Sequence, residues 1–431
     1  MKGLKHLILG GGPAGIFAAE MIRMRDPEAS ITLITEEKHP GLSPVMLTYW
    51  MGGGSPRDAL FFRDPSWCEK KEVHVIMDSR AVSLDTSSKI IRLADGRDLP
   101  FDRLLIATGA SPLSLPIPGR ESKGMASLRH MQDAEAILEG GAQEKEIVII
   151  GGGLIGLKLA CHLAKKGFRM MVFEKEPRLV ARIFDSKTSS LIEKKLWEGN
   201  VQVETNVEVV EILNEKGWVS GVRLKDGRTF SCQQVIETVG VRPNTQFLIG
   251  SGINLQGGIP VNERMETNLP GIYAAGDVAM TRDSITSEWV SYAIWPAASR
   301  QGRVAGWNMA GGHHVYLQNV NLNAITLFGL QVMAAGHPNV DHNETGIEVL
   351  TREEKESYRK IVIRKGRLIG FLLAGDVSGA GFLLSLMKKE ADLSCVSSDL
   401  LDNRIGLQDS LLPQLGYKHG FLFKEASPKL L

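Results

Sequence analysis

Two short stretches of this 431-residue chain carry three glycines at the same spacing. LILGGGPAGIFAAEMI (7–22) contains Gly10, Gly12 and Gly15, and IVIIGGGLIGLKLACHL (147–163) contains Gly151, Gly153 and Gly156. A G-x-G-x-x-G run of this kind holds a dinucleotide pyrophosphate when it joins a strand to a helix. The first glycine permits a tight turn, the second lets the backbone approach the phosphates, and the third lets the helix pack on its strand. The helix N-terminus then presents unpaired N–H groups and a partial positive charge to the anion. Pro13 and Ala14 open the first helix, and Leu154 and Ile155 open the second. An acid follows each run at a distance suited to a ribose diol: Glu36 lies 26 residues after Gly10, and Glu174 lies 23 after Gly151. Lys175 and Glu176 follow Glu174, with no arginine pair to receive a 2′-phosphate, which favours NAD(H) over NADP(H) at the second site.

The elements that must position these residues are equally regular. Each fingerprint follows a short apolar strand (LKHLIL, EIVII) and opens a helix, and each acid ends a second strand (ITLITEE, RMMVFEK). IIRLADGRDLPFDRLLIATG in the first half is echoed by GVRLKDGRTFSCQQVIETVG in the second. Each predicts a hairpin turning at Asp-Gly, followed by an apolar strand that closes at glycine. The chain is an internal duplication, and its expected fold is α/β with two Rossmann-like dinucleotide-binding domains. At this length a two- or three-domain chain is expected.

Composition narrows the class. Lys plus Arg (50) balances Asp plus Glu (49), for a net charge of +1, so no basic excess argues for a nucleic-acid partner. No apolar run reaches the ~18 residues that span a bilayer. The opening MKGLKHLILGGG reads as a first strand and not as a signal peptide. Cys68, Cys161, Cys232 and Cys395 are scattered with no C-x-x-C pair, so a disulfide framework, a zinc site and an iron–sulfur cluster are not expected. The expectation is a soluble cytoplasmic protein with no metal site.

Taken together, these residues resemble the FAD-dependent pyridine nucleotide-disulfide oxidoreductases. LLIATGASPLSLPIPG (104–119) resembles the strand that leaves the FAD domain, which puts Ala107, Thr108 and Gly109 at the flavin nucleotide. TNLPGIYAAGDVA (267–279) resembles the second FAD fingerprint, with Gly276 and with Asp277 at the ribityl or phosphate portion. WPAASRQGRVAGWNMAG resembles the helix that points its N-terminus at the flavin pyrimidine ring, with Pro296 and Ala297 in its first turn. Arg129 matches a recurrent position near FAD, a surface arginine being the plain alternative; Gly240 falls to the NAD(H) side. YRKIVIRKGRLIGFLLAGD and GFLLSLMKKEADL resemble a C-terminal interface domain. The resemblance implies an FAD domain of residues 1–112 and 244–318, an NAD(H) domain of 113–243, and a C-terminal α/β interface or dimerisation domain of 319–431, through which two copies could pair.

The segment 36–54, EEKHPGLSPVMLTYWMGGG, contains no cysteine, whereas the disulfide reductases of this superfamily carry a redox pair there. GLSPVMLTYWMGG resembles instead the cysteine-free branch, which includes rubredoxin and ferredoxin reductases and the flavin portion of NADH-nitrite reductase; Ser43 replaces its arginine. Many relatives pair a loop lysine with a helix glutamate beside flavin N5. Here those positions are Thr48 and Lys158, which makes Lys158 the candidate cation near N5, against the plainer reading of a solvated helix lysine. The implied function is hydride exchange between NAD(H) and FAD, with electrons passed to or from an iron–sulfur partner or redox complex. A stand-alone NADH oxidase, a nitrite-reductase-type flavin component and an NADH-sensing flavoprotein that controls assembly are the alternatives. His313, His314, His337 and His342 read as surface residues, Trp289 and Trp295 as core packing or a flavin shield, and REEKESYRK (352–360) as a solvated charged face. The apolar tail 400–431 is expected either to fold back on its own domain or to dock on a partner.

Overall fold

The apolar strands that precede the two fingerprints lie at the centres of two separate parallel sheets. The structure, a computed structural model, describes residues 3–139, 145–317, 320–340, 345–394 and 400–401. His342, Cys395 and residues 402–431 lie outside the described residues. The chain divides into two compact units, residues 1–179 with 196–319 and residues 180–195 with 320–431.

In the first unit the chain forms β1 (Lys5–Leu9), α1 (Pro13–Arg25), β2 (Ser30–Ile34), α2 (Pro44–Met51), β3 (Val73–Ile76) and β4 (Arg103–Ile106). It then repeats the plan as β5 (Glu146–Ile150), α3 (Leu154–Ala164), β6 (Arg169–Phe173), β7 (Val201–Glu204) and β8 (Gln234–Glu237). β9 (Ile272–Ala274) returns to the first sheet, and α4 (Trp295–Met309) follows. The sheet orders are β3-β2-β1-β4-β9 and β7-β6-β5-β8 with Met125–Ser127 at the edge, so the two halves share one order over their first four strands. All pairings in both sheets are parallel. Helices on the faces bury such strands on both sides, which is why β1 and β5 read as continuous apolar runs, each with four buried residues in succession. In both sheets the order reverses at the central strand, and the crevice beyond its carboxyl end is where a ligand enters an open α/β sheet.

The two predicted hairpins are present. Ile90–Leu93 pairs with Asp98–Pro100 across Asp95-Gly96, and Trp218–Leu224 pairs with Thr229–Ser231 across Asp226-Gly227. Each belongs to a three-stranded antiparallel sheet. The chain passes between the two halves twice, and these passages, Ala110–Pro112 and Val241–Pro243, pair as an antiparallel ribbon. α1 and α4 pack closely through small residues: a Cβ at Gly302 would lie 2.2 Å from the Ala14 carbonyl oxygen, and one at Gly306 would lie 2.2 Å from that of Ala18. The matched order of these contacts makes the helices run parallel, so both present their N-termini at the same end.

The second unit holds an antiparallel sheet of β10 (Leu322–Leu327), β11 (Leu330–Gly336), β12 (Ile347–Glu353), β13 (Tyr358–Arg364) and β14 (Arg367–Ala374), in the order β10-β11-β14-β13-β12, followed by α5 (Ala380–Lys388). The expectation of a solvated face at 352–360 is corrected here. Arg352 and Glu354 are exposed and paired, but Tyr358, Arg359 and Lys360 are buried. Their polar ends are matched inside the unit. Tyr358 donates to Asp185 at 2.8 Å, the Lys360 ammonium lies 3.6 Å from the same carboxylate, and Arg359 donates to the Ser378 carbonyl at 2.7 Å. Burying these charges is tolerable only with such partners.

Candidate dinucleotide-binding crevice

The glycines of the two fingerprints divide their work as their spacing suggests. Gly10 and Gly151 adopt φ of +118° and +108°, and a Cβ there would strike the carbonyl oxygens of Ala107 (2.1 Å) and Thr238 (2.6 Å). Gly15 and Gly156 sit against their own loops, where a Cβ would come within 1.9 and 2.3 Å of the Gly10 and Gly151 carbonyl oxygens. Gly12 and Gly153, by contrast, have no atom within 4 Å of such a Cβ. Each is the N-cap of its helix, with no side chain capping it, so the first-turn N–H groups of α1 and α3 open onto free space. Two bare helix N-termini, each behind a glycine with nothing in front of it, are cradles for a pyrophosphate.

At the first cradle a cavity of about 860 Å³ opens, lined by Gly10, Gly12, Pro13, Glu36, Ala107, Thr108, Gly109 and Arg129 among others. Its size and its mixed polar lining fit a dinucleotide. Glu36 is exposed in it and makes no hydrogen bond or ion pair among the described residues, so its carboxylate can accept from a ribose. The Arg129 guanidinium crosses Gly109, where a Cβ would lie 2.9 Å from it, and reaches within 3.6 Å of Asp277. Burial pushes the Asp277 carboxyl up, and Arg129 opposes that shift. Gly276 donates its N–H to Gln301 of α4 at 2.8 Å, and its own Cβ position lies 3.2 Å from Ala14. These contacts join the loop before Asp277 to the start of α1 and to the middle of α4. Pro296 and Ala297 occupy the first turn of α4, as the sequence indicates. Asp277, Pro296 and Ala297 do not line the cavity itself; Asp277 reaches it through Arg129.

Several lining residues went unnoticed in the sequence. The His130 ring nitrogen lies 2.6 Å from Glu37, and this bond holds the imidazole above its ordinary value. Asn244 donates to the Thr108 carbonyl and its own carbonyl accepts from the Thr108 hydroxyl, both at 2.9 Å, which locks the ribbon beside the cavity. Arg80, Arg242 and Gln246 add to the lining. None of these carries a local signal: Asn244 meets Thr108 across 136 residues of sequence.

At the second cradle the two Glu174 oxygens accept from the backbone N–H groups of Gly152 (2.6 Å) and Glu176 (2.8 Å). The acid is thus fixed against the fingerprint loop, with lone pairs remaining for ligand hydroxyls. Gly240 adopts φ +118° beside Leu113, and Ile155 is half exposed on the first turn of α3. Lys158, one turn further, is half-buried with its ammonium 4.0 Å from the centre of the Tyr49 ring of α2. His162, on the same face of α3, bonds the Thr48 carbonyl. Burial holds that imidazole below its ordinary value. The helix of the second cradle therefore touches the segment that follows the first.

The thiol nearest in sequence, Cys161, sits on α3 directly before His162 but is buried. Cys232 is buried as well, Cys68 is half-buried, and burial pushes the Cys68 thiol up and that of Cys232 up to about 12. Trp295 packs edge-on against Phe17 and Phe62, and Arg282 covers Trp289 at 4.4 Å. His314 stacks on Trp307. No group of acids, histidines and cysteines among the described residues forms a metal site.

Comparison with known proteins is specific. The family described as Pyridine nucleotide-disulphide oxidoreductase matches residues 4–302, and the Rubredoxin NAD+ reductase C-terminal domain matches residues 322–391. The chain is 31% identical over 415 residues to the NADH-dependent phenylglyoxylate dehydrogenase subunit epsilon of Aromatoleum evansii, covering 95% of this chain and 97% of that one. It is also 31% identical over 395 residues to the nitrite reductase [NAD(P)H] of Bacillus subtilis, covering 91% of this chain but 48% of that one; it thus spans about half the length of that relative. Among solved structures, a ferredoxin reductase from Rhodopseudomonas palustris superposes with a TM-score of 0.82 at 26% identity, over 94% of this chain and all of the other.

Proposed function

We propose, since this chain belongs to the pyridine nucleotide-disulphide oxidoreductase family, that it exchanges hydride between NAD(H) and FAD and passes electrons to or from a separate iron–sulfur protein or redox complex. The observation that carries this reading is the pair of open cradles in one compact unit, with no cysteine anywhere in residues 36–54. FAD, when bound, accepts two electrons as hydride and releases them singly, which suits it to join a nicotinamide to a one-electron carrier.

In this reading the first cradle is the FAD site. Gly10, Gly12, Gly15 and the α1 N-terminus take the pyrophosphate, Glu36 takes a ribose, and Arg129 with Asp277 takes the remaining polar chain. At the second cradle Gly151, Gly153, Gly156 and the α3 N-terminus take the NAD(H) pyrophosphate. Glu174 accepts from the ribose hydroxyls and repels a 2′-phosphate. Lys158 supplies positive charge where the two halves touch. A partner chain carries the electrons onward, as fits similarity along almost the whole length of a protein named as one subunit of an NADH-dependent dehydrogenase. The reading is of a cytoplasmic protein that draws on NADH there. No helix among the described residues is long and apolar enough to cross a membrane.

The test is competition between acceptors. Protein reduced anaerobically with NADH is mixed with a rubredoxin, with a [2Fe–2S] ferredoxin, or with oxygenated buffer. The reading expects reoxidation by at least one iron–sulfur protein to outpace that by oxygen. Fast oxidation by oxygen with slow transfer to both carriers would replace it with the NADH oxidase reading.

A further inference from the structure

Lys158 is a half-buried cation that makes no ion pair among the described residues. Elsewhere in the second half lysines and arginines are paired: Lys175 and Lys225 both hold Glu208, and Arg228 holds Glu204 and Asp226. Lys158 instead sets its ammonium over the face of Tyr49, 4.0 Å from the ring centre, and so bridges α3 of the second half to α2 of the first. The surroundings fix that ring. His162, four residues on from Lys158, lies 5.1 Å from Tyr49 centre to centre and bonds the carbonyl of Thr48, the residue before it. α3 rests directly on Gly52, where a Cβ would come within 2.9 Å of the His162 ring. Tyr49 is therefore held by the backbone next to it, by a ring beside it and by the cation above it.

The choice of an aromatic seat has an electrostatic consequence. A carboxylate partner would place a lysine firmly but cancel its charge at any distance beyond the pair. A ring face attracts the ammonium through its quadrupole and leaves the full unit charge in place. We propose that Tyr49 is the positioning residue for Lys158, holding its ammonium uncompensated where the two cofactor-binding halves meet, to stabilise the negative charge that hydride transfer builds there. This rests on the reading that the first half holds FAD and the second NAD(H).

The test uses the full-length FAD-loaded protein and four variants at equal FAD content: Y49F, Y49L, K158M and the double variant Y49L/K158M. Lysines carrying ¹³C-methyl groups report ring contact directly, with Lys158 assigned by the resonance missing from K158M. That resonance is expected upfield in the wild type and in Y49F, and unshifted in Y49L. The flavin midpoint potential, measured by dye equilibration, is expected to fall in K158M and in Y49L and to stay at the wild-type value in Y49F. The rate constant for reduction by NADH should fall about three- to tenfold in Y49L, as the loss of one cation–π seat implies, with no further loss when Y49L is added to K158M. An unshifted Lys158 resonance in the wild type would overturn the proposal, and so would a potential unchanged in Y49L or K158M. A Tyr49 effect that persists in the K158M background would overturn it too, because Tyr49 would then act without Lys158. If wild-type flavin is not reduced by NADH at all, the functional reading fails, while the resonance still decides whether the ring seats the cation.

Discussion

Replacing Glu174 separates its two proposed duties. Its oxygens are held at 2.6 and 2.8 Å by the Gly152 and Glu176 N–H groups, so the carboxylate cannot swing away from an unwelcome ligand. A 2′-phosphate on the adenosine ribose would bring about two negative charges to roughly 5 Å from it. At that distance each unit of charge is repelled by about 0.8 kcal/mol in water and by about 3 kcal/mol at an effective dielectric near 20. Even the lower figure, doubled, exceeds the ~1.4 kcal/mol that corresponds to a factor of ten. The wild type should therefore prefer NADH to NADPH by at least about tenfold in kcat/KM. E174A removes the repulsion together with the hydrogen bonds to the ribose, each worth about 1.5–3 kcal/mol to a charged acceptor. NADH efficiency should fall about tenfold or more, chiefly through KM, while NADPH efficiency holds or rises, so that the preference collapses. E174Q keeps the shape but turns an amide NH₂ toward one of the two backbone donors; it should lose the discrimination and part of the NADH binding. The assay is initial-rate dye reduction with each nucleotide at low ionic strength. An unchanged NADH/NADPH ratio in E174A would refute the reasoning.

Three further outcomes are expected. Replacing all four cysteines by serine should leave NADH-to-dye transfer within a few-fold of the wild type; a loss on the order of 100-fold with FAD still bound would place a thiol in the mechanism. His6 is buried with neither ring nitrogen partnered, and burial lowers it to about 4. Its neutral form contributes stability that is complete above the unfolded value of 6.5 and is lost as pH falls toward 4, so H6L should weaken the decline in stability between pH 7 and 4.5 by about 2–3 kcal/mol; parallel denaturation profiles for the two proteins would contradict this. G302A should force α4 away from α1, because its Cβ would sit 2.2 Å from the Ala14 carbonyl oxygen. The expected cost is about 1–3 kcal/mol of stability together with weakened FAD retention, and a normal melting temperature and FAD content would show that the helices accommodate it.

What the sequence made legible is what repeats locally. The two glycine runs, the acids after them and the two Asp-Gly hairpins are all short-range patterns, and the structure builds each of them twice in the same strand order. The lining that completes the first cavity was not legible, because it forms only through long-range closure. Asn244 gains its meaning from Thr108, and His130 from Glu37. The burial of Arg359 and Lys360 escaped notice for the same reason. A run of charged letters resembles a wet surface until Asp185, 173 residues before Tyr358 is counted back, is found beneath it. Lys158 was legible as an unusual cation, while its seat on Tyr49 required the two halves to be brought together.

The central claim is that electrons cross from NADH to FAD with no thiol between them, and an anaerobic NADH titration of the FAD-loaded protein tests it most directly. Hydride transfer to the flavin alone consumes one NADH per FAD, and the visible flavin absorbance should be lost in full at that single equivalent. Uptake of a second equivalent would reveal a redox-active disulfide, and a flavin left oxidised in excess NADH would show that no hydride crosses; either result would contradict the account.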